Sequence, residues 1–353
     1  MRVVPATAIA PQSLVRIARR VDERIRTLLD AERARWTEVD PALAEPLDAL
    51  AKLVLSGGKR LRPAFCHWAF VGAGGSADDR AVVDAGAALE LLHTFALIHD
   101  DIMDGSSTRR AMETIHVLFE ERHALDGWRG EGRRFGEGVG VLVGDLAFVY
   151  ADKLLAGAPA LAMDVFTELR IEVNIGQYLD LVGTARGVTG AETARRISLF
   201  KSGKYTVERP LHLGAALAGR LDELAGPLSG YGLPLGEAFQ LRDDLLGAFG
   251  DQSVTGKPVG EDLREGKPTL LYAAARAGND SRLLDRYGAP DLTEAEIAGL
   301  QDLLVGSGAV AHVEATIETR VAEALSALDA TPLTDEARTA LVELALYVAG
   351  RDR

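Results

Sequence analysis

Residues 97–110 read LIHDDIMDGSSTRR, an apolar run that delivers Asp100, Asp101 and Asp104 and then Arg109 and Arg110. The stretch before it, AVVDAGAALELLHTFALIH (81–99), is apolar at nearly every helical position and has no proline, so the spacing predicts a buried helix. On that helix Asp100 and Asp104 fall one turn apart on one face, where like charges repel. Local stability disfavours the arrangement, whereas hard-cation chemistry needs it. Mg²⁺ prefers oxygen ligands, takes one or two carboxylates, and fills its shell with water and substrate phosphates. A lone DDxxD is most often a solvated helix end. Residues 239–251, FQLRDDLLGAFGD, shift the balance: a second apolar helix ends in Asp243 and Asp244, with Gln240 one turn below. Two such helices packed side by side would hold Mg²⁺ between facing carboxylates.

Basic residues recur beside these clusters. GGKRLRP (57–63) puts Lys59 and Arg62 three apart, on one face of a helical turn. Lys201 and Lys204 flank the glycine of FKSGKY, and Lys257 and Lys267 sit in VTGKPVGEDLREGK (254–267). Each alone is an ordinary surface charge. Arginine grips diphosphate oxygens in bidentate fashion and lysine acts as a point charge, so the recurrence points to two polyanions, one held through metal and one directly. His93 lies two turns before Asp100 on the same face, and Gln177 and Asp180 are the strong polar breaks in GQYLD (176–180). Singly these three read as hydrogen-bonded core residues. They acquire chemistry if the surrounding helices form one cavity.

The elements that must position these groups are helices. Periodicity predicts them over 13–38, 41–55, 62–71, 81–103, 113–125, 139–155, 160–183, 190–201, 205–218, 222–249, 269–277, 293–305, 309–328 and 334–348. A break in 222–249 is expected near Gly232-Leu233-Pro234. Residues 127–138, GWRGEGRRFGEG, read as a flexible loop, and no strand or Asn-Gly hairpin stands out. One all-α domain over 1–353, with an N-terminal extension at 1–40, is the economical expectation. Of the 353 residues, 47% are hydrophobic and 26% charged, as in globular chains generally. The net charge of −13 speaks against nucleic acid or an anionic membrane surface as partner. Cys66 is the only cysteine, which excludes an internal disulfide and fits a reducing cytoplasm. The opening MRVVPATAIAPQSL has too short an apolar run for a signal peptide, and no window approaches 18 uncharged apolar residues flanked like a membrane span, so no integral membrane segment is expected.

Taken in order, GGKRLRP, DDIMD with its two arginines, GQYLD, KSGKY, FQLRDD and TGKPVGEDLREGK resemble the trans-isoprenyl diphosphate synthase (polyprenyl synthetase) family. The motifs span 57–267. The resemblance implies an all-α isoprenoid synthase fold, a helical bundle around a deep central cavity. It also implies Mg²⁺-dependent head-to-tail condensation of isopentenyl diphosphate onto an allylic diphosphate. By the same resemblance Asp100, Asp104 and Asp243 hold Mg²⁺ on the allylic diphosphate, supported by Asp101 and Asp244. Arg109, Lys201 and Lys257 bind that diphosphate directly, with Lys267 in the same loop among the substrate-binding residues. Lys59, Arg62, His93 and Arg110 take isopentenyl diphosphate, and Gln177, Asp180 and Gln240 line the reacting zone. Lys204 matches no ligand of the family. One departure stands: Gly247 occupies the place where many members carry a third aspartate.

Phe95 and Ala96, five and four residues before Asp100, are where the family sets product length. A bulky residue at the first place with a small neighbour resembles short-chain enzymes that stop at C20, which implies geranylgeranyl diphosphate, with farnesyl or longer products as alternatives. The family also implies a homodimer. A terpene cyclase would need a different second box and has no use for GGKRLRP. A non-catalytic regulatory subunit would be expected to lose its aspartates, and a plain helical scaffold would not explain the ordered basic groups.

Overall fold

The computed structural model describes residues 10–187, 190–250, 260–277, 281–289 and 291–350. By its contacts the chain divides into two compact units. The first comprises Gln12–His67 and Ala77–Ala158, and the second Trp68–Ser76 and the chain from Pro159 onward.

The first unit contains α1 (Gln12–Thr37), α2 (Ala44–Leu55), the start of α3 (Leu61–Gly72), α4 (Arg80–Asp104), α5 (Ile115–Leu125) and α6 (Gly132–Leu155). In α1, buried Leu14, Ile17, Val21, Ile25 and Leu28 recur every three or four residues, the stripe of a helix with one apolar face. α4 differs: residues 85–92 are all buried, so neighbours cover it on every side. The Asp79 side chain caps it by accepting from the Ala81 N–H, and Gly105, left-handed at φ 66°, ends it directly after Asp104. Its best 18-residue window, of mean hydropathy 1.6, is long and apolar enough to cross a membrane by length and composition. Burial of 61% of that window inside the protein accounts for its apolarity.

Two expectations are corrected in this unit. The glycine-rich stretch at 127–138 is partly helical, since α6 begins at Gly132. Trp128 stacks edge-on against Phe135 at 5.1 Å and His123 at 6.1 Å, and the Arg129 carbonyl lies 3.1 Å from His123 Nε2, so aromatic contacts order what glycine content alone would loosen. A hairpin also exists: β1 (Thr108–Arg109) pairs antiparallel with β2 (Met112–Glu113). Its turn residues Arg110 and Ala111 have φ 53° and 57°, the left-handed pair a tight hairpin needs, reached without Asn-Gly.

The second unit contains α7 (Ala160–Ala185), α8 (Ala191–Ser198), a π-helix (Leu199–Glu208), α9 (Arg209–Leu217), α10 (Leu221–Phe249), α11 (Glu261–Glu265), α12 (Leu270–Arg276), α13 (Glu294–Gly306), α14 (Ala309–Asp329) and α15 (Asp335–Gly350). The expected break between helices at 201 and 205 is this π-helix, and α10 runs unbroken through Pro227 and Pro234. The glycines near Pro234 serve close approach instead. A Cβ on Gly236 would sit 2.6 Å from the Gly203 Cα, so the two backbones touch there. Tyr231, fully buried, donates its hydroxyl to the Leu341 carbonyl at 2.7 Å and ties α10 to α15.

Candidate active site

The C-terminus of a helix already carries partial negative charge, so three aspartates at the end of α4 raise a demand for cations. The hairpin supplies one. It folds Arg109 back so that Nε donates to Asp101 Oδ1 at 2.6 Å, with Nη2 2.5 Å from the same oxygen and 3.7 Å from Asp100 Oδ2. Thr114, buried, locks the return by donating its hydroxyl to the Ser106 carbonyl at 2.9 Å. Asp101 is 2% exposed and engaged by Arg109, while Asp100 and Asp104 are half-buried with some access.

Behind this cluster the same unit gathers the expected basic residues. His93 on α4 is pushed well below its ordinary pKa by burial, and then by the nearby cations of Arg62, Arg110, Arg109 and Arg60. It is therefore neutral and able to donate or accept one hydrogen bond. Arg110 Nη1 donates to the Gly57 carbonyl at 2.5 Å and reaches the Leu53 carbonyl and Ser56 Oγ, each at 3.3 Å. Burial and the charges of Arg60, Arg109 and Arg62 lower the pKa of its guanidinium, against the pull of Glu90. Such a cluster brings several cations together. Lys59 is exposed on the same segment, and Arg62 is half-buried. Sequence reasoning passed over Arg60 and Glu90, whose ion pair at 2.7 Å is buried beneath this corner. Its two residues stand 30 positions apart, and only the fold joins them.

Phe95 and Ala96 are both half-buried on α4. Phe95 packs edge-on against Phe148 of α6 at 4.9 Å between ring centroids and against His99 at 4.6 Å. At about 100° per residue it lies about 140° round the helix from Asp100, on the face turned to α6. Phe148 carries no motif that would have drawn notice.

In the second unit, α10 presents Gln240, Asp243 and Asp244. Gln240 Nε2 donates to Asp244 Oδ1 at 2.7 Å. Burial pushes the Asp244 carboxyl up to about 8, aided by Asp262 and Asp243 and opposed by the Gln240 hydrogen bond and Lys267. Lys267 bonds to Glu265 and lies 3.6 Å from Asp262 Oδ1, so it balances acids here. Asp262 on α11 is the residue that sequence reasoning missed. A Cβ on Gly247 would fall 1.8 Å from its Oδ2. The space a third aspartate would enter holds this carboxylate, and the GED sequence opening α11 was the available signal.

Asp180 and Gln177 lie one turn apart on α7, Asp180 buried and Gln177 half-buried. The backbone of Lys201 belongs to the π-helix, while its side chain, like the whole of Lys257, lies outside the described residues. Lys204 Nζ donates to Glu172 Oε1 at 2.5 Å, and Arg209 grips Glu172 through Nε at 2.6 Å and Nη2 at 2.7 Å. This half-buried fork, with Glu172 buried at its centre, fastens the π-helix to α7.

Among the described residues, no three His, Cys, Asp or Glu side chains close into a metal cage. The donors are hard carboxylate oxygens in short runs, flanked by guanidinium groups. That set suits a divalent cation such as Mg²⁺, which takes the remainder of its shell from phosphate and water. The polyprenyl synthetase family model matches residues 43–304. A geranylgeranyl diphosphate synthase of Methanosarcina mazei is 32% identical over 342 residues, covering 92% of this chain and 98% of that one. A geranylfarnesyl diphosphate synthase of Aeropyrum pernix is 32% identical over 311 residues, covering 85% and 92%. The crystal structure of geranylgeranyl pyrophosphate synthase from Corynebacterium glutamicum, complexed with isoprenyl diphosphate and magnesium, is 36% identical with a TM-score of 0.90 over 96% of this chain and 99% of that one. The chain thus has the all-α isoprenoid synthase fold and belongs to the polyprenyl synthetase family.

Proposed function

We propose that this protein is a prenyltransferase that condenses isopentenyl diphosphate head-to-tail onto allylic diphosphates with Mg²⁺, giving geranylgeranyl diphosphate as main product. The carrying observation is in the first unit, where an acidic helix end and an anion-seeking arginine corner share Arg109 between them. One suits a diphosphate that arrives with metal, the other a diphosphate bound directly. Bound Mg²⁺ supplies charge neutralisation for the departing diphosphate. Asp100, Asp104 and Asp243 are the carboxylates assigned to hold it, with Asp101 and Asp244 behind them. Arg109, Lys201, Lys257 and Lys267 add positive charge where negative charge develops, the electrostatic part of catalysis. Lys59, Arg62 and Arg110 bind isopentenyl diphosphate, and neutral His93 contributes a hydrogen bond to a phosphate oxygen. Gln177, Asp180 and Gln240 line the reacting zone. The apolar residues of α4 below Asp100 keep water from the allylic cation, so that only the isopentenyl double bond reaches it. A proton then leaves the new chain for the released diphosphate, and no side-chain base is required.

The family resemblance carries a further reading, a homodimer, and the single cysteine another, a cytoplasmic home. α7 exposes Ile171, Ile175 and Tyr178 along one face, apolar surface that a second copy would cover, and light scattering would give the mass. The deciding experiment incubates the purified chain with labelled isopentenyl diphosphate and C5, C10 or C15 allylic primers. Label should collect in a C20 diphosphate. A product that stops at C15 or runs past C20 would correct the length alone, and no condensation with any primer would favour a regulatory subunit.

A further inference from the structure

Among the described residues, the non-glycine positions with left-handed backbone are Arg60 (φ 48°), Arg110 (φ 53°) and Ala111 (φ 57°). Such conformations are unfavourable and persist only where the surroundings impose them. Arg60 and Arg110 meet at one place. A Cβ built on Gly58 would lie 3.1 Å from Arg60 Nη1 and 3.2 Å from Arg110 Nη2, so two guanidinium groups press against a glycine that has no side chain to obstruct them.

What imposes the strain on Arg60 is visible on all three of its nitrogens. Nε donates to Asp22 Oδ1 of α1 at 2.9 Å, Nη1 to Glu90 Oε2 of α4 at 2.7 Å, and Nη2 to the Val54 carbonyl of α2 at 2.6 Å. Arg60 is 3% exposed. One side chain therefore pins three helices to the segment that carries Lys59 on one side and opens α3 at Leu61 and Arg62 on the other. Arg110 approaches the same segment from the hairpin through the Gly57 carbonyl. With each nitrogen already committed to a protein partner, the Arg60 guanidinium is built into the frame of this corner.

We propose that Arg60, seated on Glu90 and Asp22, is a positioning residue for the diphosphate corner: it fixes the 53–60 segment so that Lys59, Arg62 and Arg110 converge on one anion. The inference rests on the reading of that corner as the isopentenyl diphosphate site. It separates from a general stabilising role, because mere loss of stability lowers the active fraction without favouring one substrate. It also separates from a long-range charge effect. Removing the negative charge of Glu90 would strengthen anion binding by Coulomb's law alone, whereas unseating Arg60 weakens it.

The test uses Arg60→Lys, which keeps the charge and loses the three-point seat, together with Glu90→Gln and the milder Asp22→Asn. In variants folded by circular dichroism, the KM for isopentenyl diphosphate should rise about tenfold, as expected when binding groups are misplaced by a fraction of an ångström, with the allylic KM within about twofold. Calorimetric titration of inorganic diphosphate in the presence of chelator should show the same loss of affinity. Unchanged isopentenyl diphosphate KM in folded Arg60→Lys, equal rises for both substrates, or tighter binding of inorganic diphosphate by Glu90→Gln would each overturn the proposal. If Arg60→Lys does not fold, Asp22→Asn takes its place: the same rise in KM is expected of it, and an unchanged value would overturn the proposal equally. Should the unmodified chain condense no primer at all, the functional reading falls, while the inorganic diphosphate titration still decides whether Arg60 shapes an anion site.

Discussion

Gly247 gives way to a neighbour: its missing side chain leaves room for the carboxylate of Asp262. From sequence alone this glycine reads only as a gap in the second acid box. Gly247→Ala should push Asp262 aside and cost about 1–3 kcal/mol, the usual penalty for overfilling a packed site. Thermal unfolding at unchanged temperature, with unchanged turnover, would show that the approach is looser than described. The acid boxes themselves were readable, because runs of like charge at helical spacing signal a cost that only a cation offsets. Asp100→Ala and Asp243→Ala should each lower kcat by about 10²–10³, the range seen when a charge-stabilising group is removed from a dry site. Near-normal turnover of either variant with Mg²⁺ would refute the role of its box. Arg60 and Glu90 were not readable, and Asp262 was hinted at only by the GED sequence, since each gains its meaning from a partner or a close approach that sequence spacing does not reveal.

At the scale of elements, periodicity reveals α4 and α10 because long buried helices repeat their pattern many times. It cannot reveal strands of two residues, which are too short to alternate. The π-helix escapes for another reason: FKSGKY reads as a glycine break, yet tertiary contacts hold the backbone continuous. Chief among them is the fork of Lys204 and Arg209 on Glu172. Burial alone would raise the Glu172 carboxyl, but the hydrogen bonds from Arg209 and Lys204 outweigh it and hold the carboxyl below its ordinary range. A depressed carboxylate stabilises the fold above its unfolded pKa and loses that contribution as pH falls through the folded value. Glu172→Gln, which strands two cations, should cost about 3–5 kcal/mol near neutrality. In denaturant unfolding the gap between variant and parent should narrow in acid, and a gap independent of pH would contradict an ionic fork. On the proposed reading of Phe95, packing of α4 on α6 bears on product length. Phe95→Ala should remove the ring facing Phe148 and shift products beyond C20. An active variant with an unchanged product ladder would show that Phe95 is not the floor.

For the molecule as a whole, a net charge of −13 sets a problem for an enzyme whose two substrates are both polyanions. Composition alone excludes neither solution to it, metal or local arginine, and the ordered motifs are what made both readable before any fold was known. Long-range repulsion is screened beyond about 8 Å at physiological ionic strength, so short-range groups decide. On the proposed assignment the two substrates depend on different groups. The allylic diphosphate is assigned to carboxylates, which repel it unless a divalent cation intervenes. Isopentenyl diphosphate is assigned to the corner of Arg62, Arg110 and neutral His93, where guanidinium groups can bind it without metal. Chelation should therefore abolish condensation and weaken binding of a non-reactive allylic diphosphate analogue by about two orders of magnitude or more, as loss of a cation that bridges phosphate and carboxylate implies. Isopentenyl diphosphate affinity, measured by calorimetry in the same chelated buffer, should change by less than about threefold, because direct arginine contacts survive. Added salt should then weaken isopentenyl diphosphate binding in chelated protein, since its attraction there rests mainly on the charges of Lys59, Arg62 and Arg110. Parallel loss of both affinities on chelation would mean that metal serves both diphosphates, and the separation of the two subsites would fail.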